Sequence, residues 1–141
     1  MQQLLEFIAN HPFLWSAVAA VIVALVANEV WRSLRGDRPL PPSDAVRLIN
    51  SRDAVVVDVR SAGDFKKGHL LNAINIPLAG ITERANEISK NKECTILCYC
   101  AMGSTSQQAC QRLAKLGYSH VHSLKGGING WQAAGLPITR K

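Results

Sequence analysis

Thr95-Ile96-Leu97-Cys98-Tyr99-Cys100-Ala101-Met102-Gly103-Ser104-Thr105-Ser106 is the stretch on which the reading of this chain turns. Its first half is a continuous apolar run, the composition of a strand buried on both faces. Its second half is small and weakly polar, and Gly103 permits a tight curl. Residues 104–116 then read as a helix ended by Gly117. A strand passing through a short loop into a helix is the repeating unit of a parallel α/β sheet.

The flanking sequence repeats that unit. Ala54-Val55-Val56-Val57-Asp58-Val59 is a β-branched run expected to form another buried strand. Ala73-Ile74-Asn75-Ile76 is a shorter strand candidate closed by Pro77, and residues 78–89 have the composition of a helix. Val121-His122-Ser123-Leu124 reads as the last strand, followed by Gly126-Gly127 and a short helix carrying Trp131. Upstream, Ser43 and Asp44 are suited to cap a short amphipathic helix built on Ala45, Val46, Leu48 and Ile49. The expected fold is α/β, a single domain over residues 43–141 with a parallel sheet flanked by helices and right-handed crossovers. Ligands of such sheets sit at the carboxyl ends of the strands. That directs attention to Asp58-Val59-Arg60, to Cys100 through Ser106, and to Lys125-Gly126-Gly127.

Cys100 stands where the strand would hold it rigidly and the loop amides would face it. The next helix would present its positive end to the same point. Both effects favour thiolate over thiol and make the sulfur nucleophilic near neutral pH. The same cradle would hold an anion. A lone cysteine is more often a small buried residue, but the strand–Cys–loop–helix setting favours chemistry.

The 141 residues carry a net charge of +6, and charged residues make up 18%. No dense basic run with interleaved aromatics is present, so nucleic acid is not an expected partner. The four cysteines, Cys94, Cys98, Cys100 and Cys110, are clustered and cannot staple distant loops. Cys98 and Cys100 alternate to one side of a strand, a poor geometry for a bridge. No C-x-x-C pair occurs, and His120 and His122 alternate as in a strand, so no metal site is expected. Free thiols in a reducing compartment fit better.

Residues 13–27 read FLWSAVAAVIVALVA, and Phe13–Trp31 approaches the roughly 20 apolar residues that span a bilayer. Trp15 and Trp31 stand where interfacial anchors belong. A cleaved signal peptide would open with Lys or Arg, which residues 1–12 lack, and a buried soluble helix would show a narrower apolar stripe. The expected organisation is a short tail over 1–12, a transmembrane helix over 13–31, a basic, Pro-rich linker over 32–42, and the domain. Arg32, Arg35 and Arg38 follow the span and none precedes it, so the domain is expected to face the cytoplasm from the inner membrane, as a single-pass protein.

The ordered set of motifs resembles the rhodanese family. Asp58-Val59-Arg60, Asp64-Phe65, Gly68-His69-Leu70 and Ala73-Ile74-Asn75-Ile76-Pro77 are similar to its N-terminal signature. Tyr99-Cys100-x-x-Gly103-x-Thr105-Ser106 resembles its active-site loop, and Leu124-Lys125-Gly126-Gly127-Ile128 with Trp131 and Gly135-Leu136-Pro137 resembles its C-terminal signature. The resemblance implies a sulfurtransferase working through a Cys100 persulfide. A donor such as thiosulfate would supply sulfane sulfur and a thiophilic acceptor, cyanide in the usual assay, would take it. The loop of Ala101, Met102, Gly103, Ser104 and Thr105 would bind substrate and persulfide, without a metal or organic cofactor. Many family members end that loop on Arg where Thr105 stands here, so weak recognition of thiosulfate is expected; Lys125 is placed to add positive potential.

The remaining candidates read as support. Asp58 and Arg60 are expected to form a structural ion pair, and His69 a structural hydrogen bond. Trp131 and Cys110 are expected in the core, and Cys94 is expected to be exposed. Cys98 reads as packing, with a resolving thiol as the other reading. A non-catalytic or weakly catalytic docking module that recruits a partner to the membrane is the alternative function, and a membrane or acceptor protein is the kind of protein partner expected. A cysteine phosphatase or arsenate reductase is disfavoured, because a phosphatase of this type needs Arg at the end of the loop.

Overall fold

The computed structural model describes residues 1–34, 38–51 and 54–141. The chain divides into two compact units, Met1–Arg35 and Gly36–Lys141. Of the expected linker, residues 35–37, with Arg35, lie outside the described residues.

The first unit holds α1 (Gln2–Asn10) and α2 (Pro12–Leu34), so the expected tail is helical. Pro12 opens α2 where its missing N–H is no loss. Pro12–Trp31 is long and apolar enough to cross a membrane by length and composition. Its side chains, Phe13, Trp15, Ile22 and Leu25 among them, are exposed.

The second unit is a three-layer α/β/α domain. A four-stranded parallel sheet has the order β2-β1-β3-β4, from β1 (Ala54–Asp58), β2 (Ile74–Asn75), β3 (Thr95–Tyr99) and β4 (His120–Ser123). α3 (Pro42–Asn50) precedes β1, α4 (Ala62–Lys67) follows it, α5 (Ala85–Ile88) and α6 (Ser104–Lys115) flank β3, and α7 (Gly127–Ala133) follows β4.

Period-two alternation assigns the strand side chains to two cores. Val57, Ile96, Cys98 and Cys100 pack with Ile81, Ala85, Ile88, Ala109, Cys110 and Leu113, against α5 and α6. Val56, Leu97 and Tyr99 pack with Ala45, Leu70, Ile128 and Trp131, against α3 and α7. Each fully buried Ile or Leu among these contributes roughly 1.5–3 kcal/mol relative to exposure. The edge of β4 is closed by Leu40, which bridges Leu124 in parallel and takes the Lys125 amide at 2.7 Å.

Several local expectations are corrected. Residues 78–89 are a 3-10 turn at Leu78–Gly80 and the single turn of α5, rather than one helix. The buried Ile81, Ala85 and Ile88 carry helical spacing, while Gly80 and Thr82 favour continuous helix poorly. Ser43 and Asp44 do not cap α3: Pro41 is the cap and Pro42 the first helical residue. Cys94 is buried rather than exposed. α4, not expected from the sequence, is capped by the Ser61 hydroxyl, which accepts from the Asp64 amide.

Candidate active site

Cys100 immediately follows β3, and alternation along that strand turns its side chain to the α6 face. There the sulfur lies beneath the first turn of α6. The Gly103 amide donates to Sγ at 3.0 Å, and Ser106 Oγ is 3.7 Å from it. Ser106 Oγ also donates to the Gly103 carbonyl at 2.9 Å. Gly103 caps α6 at φ 104°, a conformation that favours glycine. A Cβ there would also press on Gly126 N at 3.3 Å.

The loop is shaped from behind by α7. Ile128 N donates to Cys100 O at 2.8 Å and Asn129 N to Ala101 O at 3.2 Å. Both carbonyls thus turn toward α7. In planar trans peptides the N–H groups that follow, of Ala101 and Met102, turn the other way. Gly127 allows this approach: at φ 58°, a Cβ on it would lie 2.6 Å from the Ala101 carbonyl carbon.

The electrostatic outcome is a stabilised thiolate. Burial by itself pushes the Cys100 thiol up. The Ser106 amide and hydroxyl and the amides of Gly103 and Met102 more than offset it, and the net pKa is lowered from the ordinary value. The positive end of α6 acts in the same direction. Cys98 contrasts with this. It is fully buried on the same face, and the Cys110 thiol and burial push it well up. This speaks for packing and against a resolving nucleophile.

The sequence candidates divide by face. Cys100, Gly103, Ser104 and Thr105 belong to the α6 side, with Thr105 half-buried in the first turn and Ala101 and Met102 exposed at the tip. Lys125 is exposed at the exit of β4, and the Leu124 carbonyl beside it would be 3.4 Å from a Cβ on Gly103. Asp58, in register with Tyr99, falls on the opposite face. Its carboxylate takes Arg60 Nε at 3.1 Å and Nη2 at 2.7 Å, while Nη2 also reaches Gly68 O at 2.7 Å. The Arg60 guanidinium stands 5.7 Å from the Tyr99 ring centroid. His69 Nδ1 bonds Phe65 O at 2.8 Å, its ring stacks on Phe65 at 3.8 Å, and its backbone pairs with Thr139. These residues brace the β1 exit and donate nothing to Cys100.

A family model for the rhodanese-like domain matches residues 41–134. The chain belongs to the rhodanese-like domain family. It is 34% identical over 142 residues to the uncharacterized protein YibN of Escherichia coli K12, covering 99% of each chain. It is also 34% identical over 90 residues to the thiosulfate sulfurtransferase GlpE of Coxiella burnetii, covering 64% of this chain and 82% of that one. The crystal structure of a rhodanese-related protein from Thermoplasma volcanium superposes with a TM-score of 0.65 at 27% identity, over 74% of this chain and 99% of its own. The first of these relatives runs the full length of the chain, apolar helix included, whereas the other two match it only in part.

Within this rhodanese-like domain, two site features had not been assigned from the sequence. Ser106 was visible as part of a motif, and its spacing of three from the helix-capping Gly103 is the signal that its hydroxyl reaches back to the cradle. Gly127 stood in a glycine pair, but its close approach to the loop depends on a contact distant in sequence.

Proposed function

We propose that this chain is a membrane-anchored, rhodanese-type sulfurtransferase in which Cys100 carries the transferred sulfur. The observation that carries the reading is the Cys100 thiol held by the Gly103 amide at 3.0 Å, at the start of α6, with its pKa lowered. Relatives named as sulfurtransferases support it, among them that of Coxiella burnetii. In the first half-reaction the thiolate attacks the sulfane sulfur of a donor such as thiosulfate. The donor S–S bond breaks and sulfite leaves with the electron pair. In the second, a thiophilic acceptor such as cyanide bonds to the outer sulfur, thiocyanate leaves, and the Cys100 thiolate returns. The backbone amides of the loop hold the negative charge in each state. The loop itself contributes no cationic side chain, so a dianionic donor is bound weakly.

The test is thiocyanate formation by the full chain in detergent, from thiosulfate and cyanide. Activity in the wild type and none in Cys100→Ser supports the reading. Absence of activity with every sulfane donor tried sinks it and favours a docking module, for which the exposure of Met102 at 75% and Leu71 at 65% speaks. Turnover of an aryl phosphate would instead point to a phosphatase.

The anchoring is part of the same proposal: α2 crosses the inner membrane once and leaves the domain in the cytoplasm, where thiols stay reduced. A reporter fused after Lys141 is expected to read as cytoplasmic. Periplasmic reporter activity would overturn the orientation.

A further inference from the structure

We infer that the Ser106 hydroxyl is a second catalytic group of this site, a rotor that turns its hydrogen bond to Cys100 Sγ whenever that sulfur is a thiolate. The inference rests on the sulfur transfer proposed above and assigns a role within it. Ser106 is wholly buried, and its single hydroxyl proton has two acceptors within reach, the Gly103 carbonyl at 2.9 Å and Cys100 Sγ at 3.7 Å. While Cys100 is a thiol, its S–H can donate to Ser106 Oγ, and the hydroxyl proton goes to Gly103 O. Once the thiol proton is lost, no other donor among the described residues faces Oγ, and rotation about the C–O bond aims its hydrogen bond at the sulfur. The carbonyl left behind caps a helix, and such a carbonyl accepts the first intrahelical bond. The rotation therefore strands no buried acceptor.

This has an unequal effect on the two half-reactions. In persulfide formation the Sγ electron pair makes the new S–S bond, the charge leaves Sγ, and the hydroxyl returns to Gly103 O. In persulfide discharge the acceptor's lone pair bonds to the outer sulfur, the Sγ–S bond breaks, and the electron pair comes back to Sγ. A donor waiting at Sγ stabilises the departing thiolate, and a better leaving group leaves faster. The same donor makes the thiolate slightly less nucleophilic in formation. No proton is transferred in either step.

The test is a pair of measurements on the full chain in detergent, comparing wild type, Ser106→Ala and Ser106→Thr. The first is the pH dependence of Cys100 alkylation by iodoacetamide, followed by mass spectrometry. The second is single-turnover formation of the persulfide from thiosulfate and its discharge to cyanide, both at a pH above the alkylation midpoints. Ser106→Ala is expected to move the midpoint upward and to slow discharge about tenfold, with formation unchanged or faster. Ser106→Thr keeps the hydroxyl and is expected to stay within about twofold of wild type in discharge. An unmoved midpoint in Ser106→Ala, or equal slowing of discharge in both variants, would overturn the role. If the wild type takes up no sulfur, the proposed function fails, and the midpoint alone then decides whether Ser106 holds the thiolate.

Discussion

The exits of β1 and β3 are neighbours in the sheet and opposites in chemistry. At the β1 exit, Asp58 and Arg60 bring full charges together; each is consumed by the other, and Arg60 also donates to the Gly68 carbonyl. At the β3 exit no side chain is charged, yet there a thiol is pushed toward its ionised form. The alternation of β1 and β3 places the two constellations on opposite faces. Formal charge here braces the fold, while backbone dipoles stabilise the thiolate. The reason is geometric: a salt bridge satisfied by its own partner has no field left over, whereas the amides at a helix start are orphaned by construction.

That contrast can be broken at four points. The largest effect is expected from Gly127→Ala, which forces an alanine to φ 58° with its Cβ against the Ala101 carbonyl. It should cost about 3 kcal/mol in denaturant unfolding and return Cys100 alkylation to the pH profile of a free thiol. A near-neutral variant with an unchanged profile would mean that α7 does not shape the cradle. Next comes Asp58→Ala, which leaves the Arg60 guanidinium without its carboxylate. Stability should fall by about 2 kcal/mol, discounted for the partial exposure of Arg60, while the Cys100 pH profile stays put. A shifted profile would show that the two exits are coupled.

Thr105→Arg tests the cradle from the other side, by adding the charge it lacks. The thiosulfate KM is expected to fall about fivefold, from one charge-assisted contact at a half-buried position. An unchanged KM would mean that the loop amides alone set donor affinity. The smallest effect is expected from Tyr99→Phe. The Leu70 amide donates to the Tyr99 hydroxyl at 3.1 Å, and losing that acceptor should cost about 1 kcal/mol with no change in sulfur transfer. Burial and the nearby Asp58 carboxylate push the Tyr99 phenol upward, so the hydroxyl stays neutral through the pH range of such assays.

Much of this was legible in the sequence because it depends on local pattern. The β-branched run of β1, the apolar run of β3 and the helix α6 that stops short of Gly117 follow from composition and period, and with them the position of Cys100. The motif order carried the family. What was not legible depends on contacts distant in sequence. Alternation alone does not say which layer will cover which face, so the separation of Asp58 from Cys100 emerged only with α6 and α7 in place. Ile81, Ala85 and Ile88 imitate a helix stripe because turns can also bury every third or fourth residue. Cys94 lies just before a strand, and its burial depends on what packs over it. Ser106 and Gly127 matter through atoms of the loop that only the folded chain brings to them.

The most direct measurement of the central claim is mass spectrometry of the full chain purified without added thiol, treated with thiosulfate, digested and mapped peptide by peptide. The expected result is one added sulfur atom on Cys100, removed by cyanide, with Cys94, Cys98 and Cys110 unmodified. Sulfur carried on any of those three in place of Cys100 would contradict it.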